Sequence, residues 1–248
     1  MIGVLYICHG TRWQNGQEQS IRFVEKAKKR ISVQQQEVCF LELCQPTVPE
    51  AVQKLVENGV TKIVVIPVLL LKAGHALRDI PSLIEQCQKE YPFLDVEYGE
   101  PVGVQERLTE TLVDRIHEQN VNAERILLVG RGSKVERKKQ DLYTVAYHLK
   151  NRLNVDVEIA YLAACVPRFE DVLQKYEQQQ IKSTIVIPYL WFDGLLWQSI
   201  REEITRLQDS GKPMHLTEPL YDHPVLLEAF VSRVKETLNK GAEETSNI

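Results

Sequence analysis

Three side chains in the first part of the chain could together handle a transition metal. His9 follows the apolar run at residues 4–8, Glu42 closes a segment of β-branched and aromatic residues, and His75 follows the apolar run at residues 62–71. Two imidazoles and one carboxylate suit divalent iron, cobalt or nickel. So few protein ligands would leave coordination positions open, which matters if the metal is to be passed on rather than kept.

The elements that would position these residues follow from the hydrophobic pattern. Short apolar runs of strand length alternate with longer amphipathic stretches, and this alternation predicts an α/β fold with parallel sheets and helices on both faces. Ligands of such sheets bind beyond the carboxyl ends of the strands. The pattern therefore places the three residues at one rim of a sheet.

The chain is an internal duplication. Residues 4–12 resemble residues 126–134, the segment at 61–67 recurs at 182–188, and the Cys-x-Pro run at 44–46 recurs at 165–167. Such self-similarity predicts two similar domains, each with a roughly four-stranded parallel sheet. In this alignment Arg131 takes the place of His9, and His75 corresponds to the loop at residues 194–195. Imidazole chemistry would therefore belong to the first repeat.

The repeat also predicts the domain boundaries. We expect a first domain at residues 1–121 that carries the metal site, a second at 122–238, and a flexible polar tail at 239–248. Because the two fused repeats can supply a cleft that single units would have to build by dimerisation, a monomer is the expected state.

Composition excludes several classes of partner. The net charge of −4 gives no support to nucleic-acid binding. No apolar run approaches the roughly 20 residues of a membrane span, and the first residues read as a strand rather than a signal peptide. The five cysteines have no CxxC spacing, which predicts reduced thiols in a cytoplasmic protein.

Two blocks of the first repeat resemble the class II chelatases. Residues 8–12, Cys-His-Gly-Thr-Arg, are similar to the Gly-His-Gly-(Ser/Thr)-Arg start of that family. The block at 66–75, which ends at His75 and is followed by Asp-Ile-Pro at 79–81, is similar to its second motif. The resemblance covers essentially the whole chain and is nearest to the sirohydrochlorin chelatases. Cys8 departs from the usual glycine and raises the prospect of a soft ligand or an oxidisable thiol beside the metal.

The resemblance implies a lyase that inserts Fe²⁺ into sirohydrochlorin to form siroheme, with release of two protons and no prosthetic group. His9 and His75 would share metal delivery and proton abstraction, and Glu42 would be the assisting base or second ligand. A neutral imidazole can bind a metal or accept a proton near neutral pH. Cobalt insertion for cobalamin synthesis remains the alternative reaction.

Sirohydrochlorin is a polycarboxylate, so its pocket should offer cations, backbone N–H groups and helix N-termini. The expected substrate-binding residues lie at the strand ends of both repeats: Gly10, Thr11, Arg12, Lys72, Arg78, Arg131, Ser133, Lys134 and Gly194, with Arg137 as a further cation. Trp191 and Phe192 could form a flat wall for the macrocycle, or could equally pack in the core.

Three other functions fit parts of the sequence. A histidine phosphatase also has a His-Gly pair after its first strand, but it needs an arginine where this chain has Cys8. A non-catalytic carrier of metal or tetrapyrrole would use the same histidines. A flavodoxin-like nucleotide or sugar binder could cradle phosphate at Gly10-Thr11 or Gly132-Ser133, but this leaves Glu42 and His75 without a role.

Overall fold

The computed structural model describes residues 1–72, 74–133 and 136–245, without the side chains of residues 74–77, 136–139 and 241–245. Strands and helices alternate along this part of the chain, in the order β1 (Ile2–Cys8), α1 (Gln14–Lys28), β2 (Gln35–Phe40), α2 (Val48–Glu57), β3 (Lys62–Pro67), α3 (Gly74–Glu90), β4 (Asp95–Tyr98), a 3₁₀ turn (Glu106–Leu108), α4 (Thr109–His117), β5 (Arg125–Gly130), α5 (Glu136–Leu153), β6 (Asp156–Tyr161), α6 (Phe169–Gln178), β7 (Thr184–Pro188), α7 (Leu195–Asp209), β8 (Met214–Leu216) and α8 (Pro224–Thr245). No helix in the described residues is long and apolar enough to cross a membrane.

The strands form two four-stranded parallel sheets of the same topology. Their orders are β2-β1-β3-β4 and β6-β5-β7-β8. In register, Tyr6 of β1 lies between Val38 of β2 and Ile66 of β3, and Leu128 of β5 lies between Ile159 of β6 and Ile187 of β7. The predicted fold class, an α/β protein with two repeated parallel sheets, is confirmed.

Both faces of each sheet are covered, which explains the nearly continuous apolar runs of the central strands. In the first sheet, Leu5 and Ile7 of β1 pack with residues of α2 and α3, such as Leu55 and Ile84. On the opposite face, the Tyr6 ring lies 6.0 Å from that of Phe230 in α8, which also meets Phe23 of α1 at 5.4 Å. The second sheet packs in the same way against α6 and α7.

The compact units of the structure are divided differently from the sequence repeats. One unit comprises Met1–Gly103 and Leu227–Ile248, and the other comprises Val104–Leu226. Helix α4 of the first repeat thus belongs to the second unit, where Arg115 donates hydrogen bonds to the carbonyls of Pro219 and Leu220 at 3.0 and 3.1 Å. Most of α8 belongs to the first unit. The predicted boundary at residue 121 follows the sequence repeats, and the compact units differ from the repeats by α4 and most of α8.

Two helices extend beyond their predicted limits. Helix α8 reaches Thr245 and so includes most of the segment predicted as a flexible tail. The sequence pattern predicts the third helix only from residue 82, after Pro81, because an interior proline loses a helical hydrogen bond and crowds the carbonyl four residues earlier. Helix α3 nevertheless begins at Gly74 and contains Pro81. His75 is therefore in the first turn of a helix and not in a loop.

The exchange of helices predicts that α8 is essential to the stability of the first unit. Phe230 is 1% exposed. Phe230→Ala should therefore lower the free energy of unfolding by about 3–5 kcal/mol, because it removes an aromatic side chain from a closed core. Phe93 is 60% exposed, and Phe93→Ala in the same unit should cost about 0.5 kcal/mol or less. Denaturant unfolding of both variants measures the difference, and equal effects would contradict the role assigned to α8.

Candidate metal and tetrapyrrole site

The loop after β1 lies directly against the residues that follow β2. The backbone N–H groups of Leu41 and Glu42 donate to the carbonyls of Cys8 and His9 at 2.9 and 3.2 Å. Gly10 comes next, with φ +96°, and a Cβ on it would lie 1.8 Å from the carbonyl oxygen of Glu42. Only glycine fits this approach, since any other residue would both strain the backbone and overlap Glu42.

This close approach brings two of the predicted metal-handling side chains together. The Nδ1 atom of His9 lies 3.6 Å from Oε1 of Glu42 and 3.3 Å from the carbonyl oxygen of Gly10. Two oxygens near Nδ1 favour the tautomer that carries its hydrogen there, and the lone pair then lies on Nε2. The side chains are 32% and 57% exposed, so a ligand and solvent can reach the pair.

His75, the third predicted member, has its side chain outside the described residues. Among the described side chains, no three His, Cys, Asp or Glu residues converge as a metal site. Two of the three predicted donors are adjacent, and the place of the third remains a prediction.

Cys8 is a buried thiol, whereas its position beside His9 raised the prospect of a soft ligand or an oxidisable group. Its side chain is 3% exposed, and burial raises the pKa of the thiol to about 12. The thiol is therefore protonated at neutral pH and shielded from solvent, which argues against a soft ligand at this position. All five cysteines lie in the described part of the chain and are unpaired in the structure.

The predicted cationic side chains differ in their exposure and in whether they form an ion pair. Arg12 and Arg78 are exposed, whereas Lys72 forms an ion pair with Glu100 at 2.6 Å across the ends of β3 and β4. This pair weakens the case for Lys72 as an anion ligand, because a substrate carboxylate would have to compete with Glu100. Lys134 and the side chain of Arg137 lie outside the described residues.

The loop after β5 in the second repeat has the same backbone geometry as the loop after β1 but carries different side chains. Gly132 has φ +87°, and a Cβ on it would lie 1.8 Å from the carbonyl oxygen of Ala163. The N–H of Ala163 donates to the carbonyl of Arg131 at 3.0 Å, as that of Glu42 does to His9. The second loop thus presents an exposed arginine and no carboxylate where the first presents a histidine and a glutamate.

The other predicted residues of the second repeat lie at the same edge of its sheet. Ser133 follows Gly132 and is half-buried, and Gly194 precedes the first residue of α7. Trp191 is 6% exposed and stacks on Phe192 with ring centroids 5.3 Å apart. Trp191 therefore packs in the core and does not form an exposed wall for a macrocycle. Phe192 is half-buried.

Cys44 contacts the loop that carries His9, and the sequence did not single it out. Its Sγ lies 3.4 Å from the backbone nitrogen of Thr11 and 3.0 Å from the Thr11 carbonyl oxygen. The signal was present, because Cys44 and Cys165 head the repeated Cys-x-Pro run. A cysteine without a nearby partner cysteine suggests an inert thiol, so the sequence pattern does not indicate this contact.

Comparison with known proteins places the chain in a family. The CbiX family model matches twice, at residues 3–119 and 125–237. Over 243 residues the chain is 40% identical to a sirohydrochlorin ferrochelatase of Priestia megaterium, covering 96% of this chain and 91% of the relative.

Two solved structures are similar over nearly the whole chain. SirB from Bacillus subtilis with Fe³⁺ superposes with a TM-score of 0.85 at 35% identity, covering 95% of each chain. The sirohydrochlorin chelatase SirB from Bacillus subtilis subspecies spizizenii in complex with cobalt gives 0.83 at 33% identity, covering 95% and 94%. This chain belongs to the CbiX family, and each of its sequence repeats is one CbiX unit.

The geometry at Gly10 predicts a site that tolerates no added methyl group. Gly59 also has positive φ, at +81°, but a Cβ there would meet nothing within 4 Å. Gly59→Ala should therefore cost about 1–3 kcal/mol from backbone strain alone. Gly10→Ala should cost more in denaturant unfolding and should also weaken Co²⁺ binding, because the loop must move away from Glu42. Equal stabilities with unchanged Co²⁺ binding would contradict this geometry.

Proposed function

We propose that this chain is a sirohydrochlorin ferrochelatase, which inserts Fe²⁺ into sirohydrochlorin with release of two protons. The observation that carries the proposal is the His9–Glu42 pair, held at the end of the central strand by the approach of Gly10 to Glu42. Membership in the CbiX family and 40% identity to a ferrochelatase over nearly the whole chain support the same reaction.

The chemistry requires a metal donor and a proton acceptor in close proximity. His9 would bind the incoming ion through Nε2, since Nδ1 faces the oxygens of Glu42 and Gly10. Glu42 would accept the two pyrrole N–H protons one after the other and pass each to solvent, to which the side chain is open. His75 would be the second imidazole. A donor set of a few N and O atoms can release the metal to the macrocycle, because four ring nitrogens bind it more strongly.

The carboxylates of the macrocycle would be bound by cations and backbone N–H groups at the strand ends. Arg12, Arg78 and Arg131 are exposed side chains suited to this purpose. The loops at Gly10-Thr11 and Gly132-Ser133, and the N-terminus of α7 at Gly194, would add N–H donors. Lys72 could join them only by leaving Glu100. Lys134, which follows Ser133 in the sequence, would be a further cation.

A second candidate reaction is insertion of Co²⁺ into the same substrate. A cobalt complex of a sirohydrochlorin chelatase 33% identical to this chain supports it. The donors His9 and Glu42 do not discriminate strongly between the two ions, and affinity alone would favour cobalt over iron. We further propose a monomer, because one chain carries both repeats, and a cytoplasmic location, where thiols remain reduced.

Removal of either imidazole should abolish insertion. His9→Ala and His75→Ala should each lower kcat for Fe²⁺ insertion by about 100-fold or more, as expected when a metal ligand is lost, with little change in unfolding. His117, exposed at the end of α4, provides the control, because His117→Ala should leave turnover unchanged. Anaerobic absorbance of the tetrapyrrole measures all three, and normal turnover of His9→Ala would refute the site.

Arg131 should serve binding and not the chemical step. Arg131→Ala should raise KM for sirohydrochlorin about tenfold, the value of one charge-assisted hydrogen bond, while kcat stays near that of the unsubstituted protein. Arg22 pairs with Glu18 on the surface of α1, and Arg22→Ala should change neither constant. A fall in kcat at unchanged KM for Arg131→Ala would contradict the assignment.

A further inference from the structure

The thiol of Cys44 makes the last of four successive contacts that hold the loop carrying His9, at residues 8–11. Backbone hydrogen bonds fix Cys8 and His9 against Leu41 and Glu42, and Gly10 lies against the Glu42 carbonyl. At Thr11 the partner is a side chain instead, because the Cys44 sulfur contacts both the nitrogen and the oxygen of the Thr11 backbone. One sulfur thus accepts from the N–H and donates its own hydrogen to the C=O, which a thiol can do.

The same arrangement occurs independently in the second repeat. Cys165 Sγ lies 3.2 Å from the backbone nitrogen of Ser133 and 2.9 Å from its carbonyl oxygen. The residues before the two cysteines, Leu43 and Ala164, have φ values of +66° and +59°. Two loops with different side chains share one backbone shape and one sulfur contact. The sulfur contact is therefore a shared structural feature of this loop in both repeats.

We propose that Cys44 is a positioning residue for metal insertion, acting through Thr11 to keep the His9 imidazole beside Glu42. This inference rests on the proposed function, because it assumes that His9 binds the metal. The sulfur lies two residues after Glu42 and bonds the backbone two residues after His9. It therefore ties together the two segments that carry the metal-handling side chains, at the point where the backbone ladder between them ends.

The consequence is chemical as well as structural. A metal ligand binds more weakly when its side chain is not held in one orientation. Loss of a group that orients a metal ligand typically costs 10- to 100-fold in metal affinity or activity. Cys44→Ala deletes both hydrogen bonds, whereas Cys44→Ser keeps a hydroxyl that can donate and accept at the same place. Cys165→Ala deletes the same two bonds from a loop without a histidine.

Equilibrium titration with Co²⁺ in the absence of tetrapyrrole tests the proposal without relying on turnover. Cys44→Ala should bind Co²⁺ about tenfold more weakly than the unsubstituted protein, and Cys44→Ser should recover most of the affinity. Cys165→Ala should bind Co²⁺ normally, even though thermal unfolding should show a similar loss of stability for both alanine variants. In insertion assays Cys44→Ala should raise KM for the metal more than it lowers kcat.

Three results would overturn the proposal. Co²⁺ affinity of Cys44→Ala equal to that of the unsubstituted protein would show that the thiol serves stability alone. An equal loss in Cys165→Ala would show that the effect is general. A thiolate-to-cobalt charge-transfer band that disappears in Cys44→Ala would show that the sulfur binds metal directly.

The variant His9→Ala, titrated in parallel, separates failure of this inference from failure of the proposed function. If His9→Ala loses Co²⁺ binding while Cys44→Ala does not, only the positioning role fails. If His9→Ala binds Co²⁺ normally, the metal site itself is refuted, and the positioning role with it.

Discussion

The site depends on how closely the loop after β1 approaches the chain after β2. Gly10 sits against the carbonyl of Glu42 at a distance that no Cβ could occupy, and the hydrogen bonds of the parallel ladder continue past the last paired residues of both strands. Because of this contact, a histidine and a glutamate that are 33 positions apart in sequence come within 3.6 Å of each other. The two side chains lie on different loops, and this contact holds those loops together.

The two repeats share the backbone structure of this loop but differ in the side chains that it carries. The second repeat keeps the glycine with positive φ, the ladder past the strand ends and the sulfur contact, yet it carries Arg131 and Ala163 where the first carries His9 and Glu42. An imidazole and a carboxylate suit a metal ion, whereas an exposed arginine suits an anion. The same backbone thus provides one loop suited to metal handling and one suited to holding a carboxylate.

The sequence allowed the local structure to be predicted well and the tertiary arrangement less so. The apolar runs and the repeat predicted both sheets and the ends of their strands. They also predicted that His9 lies near Glu42, because parallel strands bring their carboxyl ends to one edge. The exchange of α4 and α8 between the units was missed, since an apolar helix face shows that the helix is buried but not against which sheet. The early start of α3 was hidden by Pro81, and the pairing of Lys72 with Glu100 depends on side-chain geometry.

The central claim is that the chain is a catalyst of metal insertion, and a single anaerobic experiment tests it directly. Sirohydrochlorin in large excess over the protein is mixed with Fe²⁺, and in parallel with Co²⁺, while its absorbance is followed. The account predicts conversion of many tetrapyrroles per chain, faster than without protein, and the metal that turns over faster identifies the reaction. An absorbance change that saturates at one tetrapyrrole per chain would indicate a carrier instead, and no change with either metal would contradict the account.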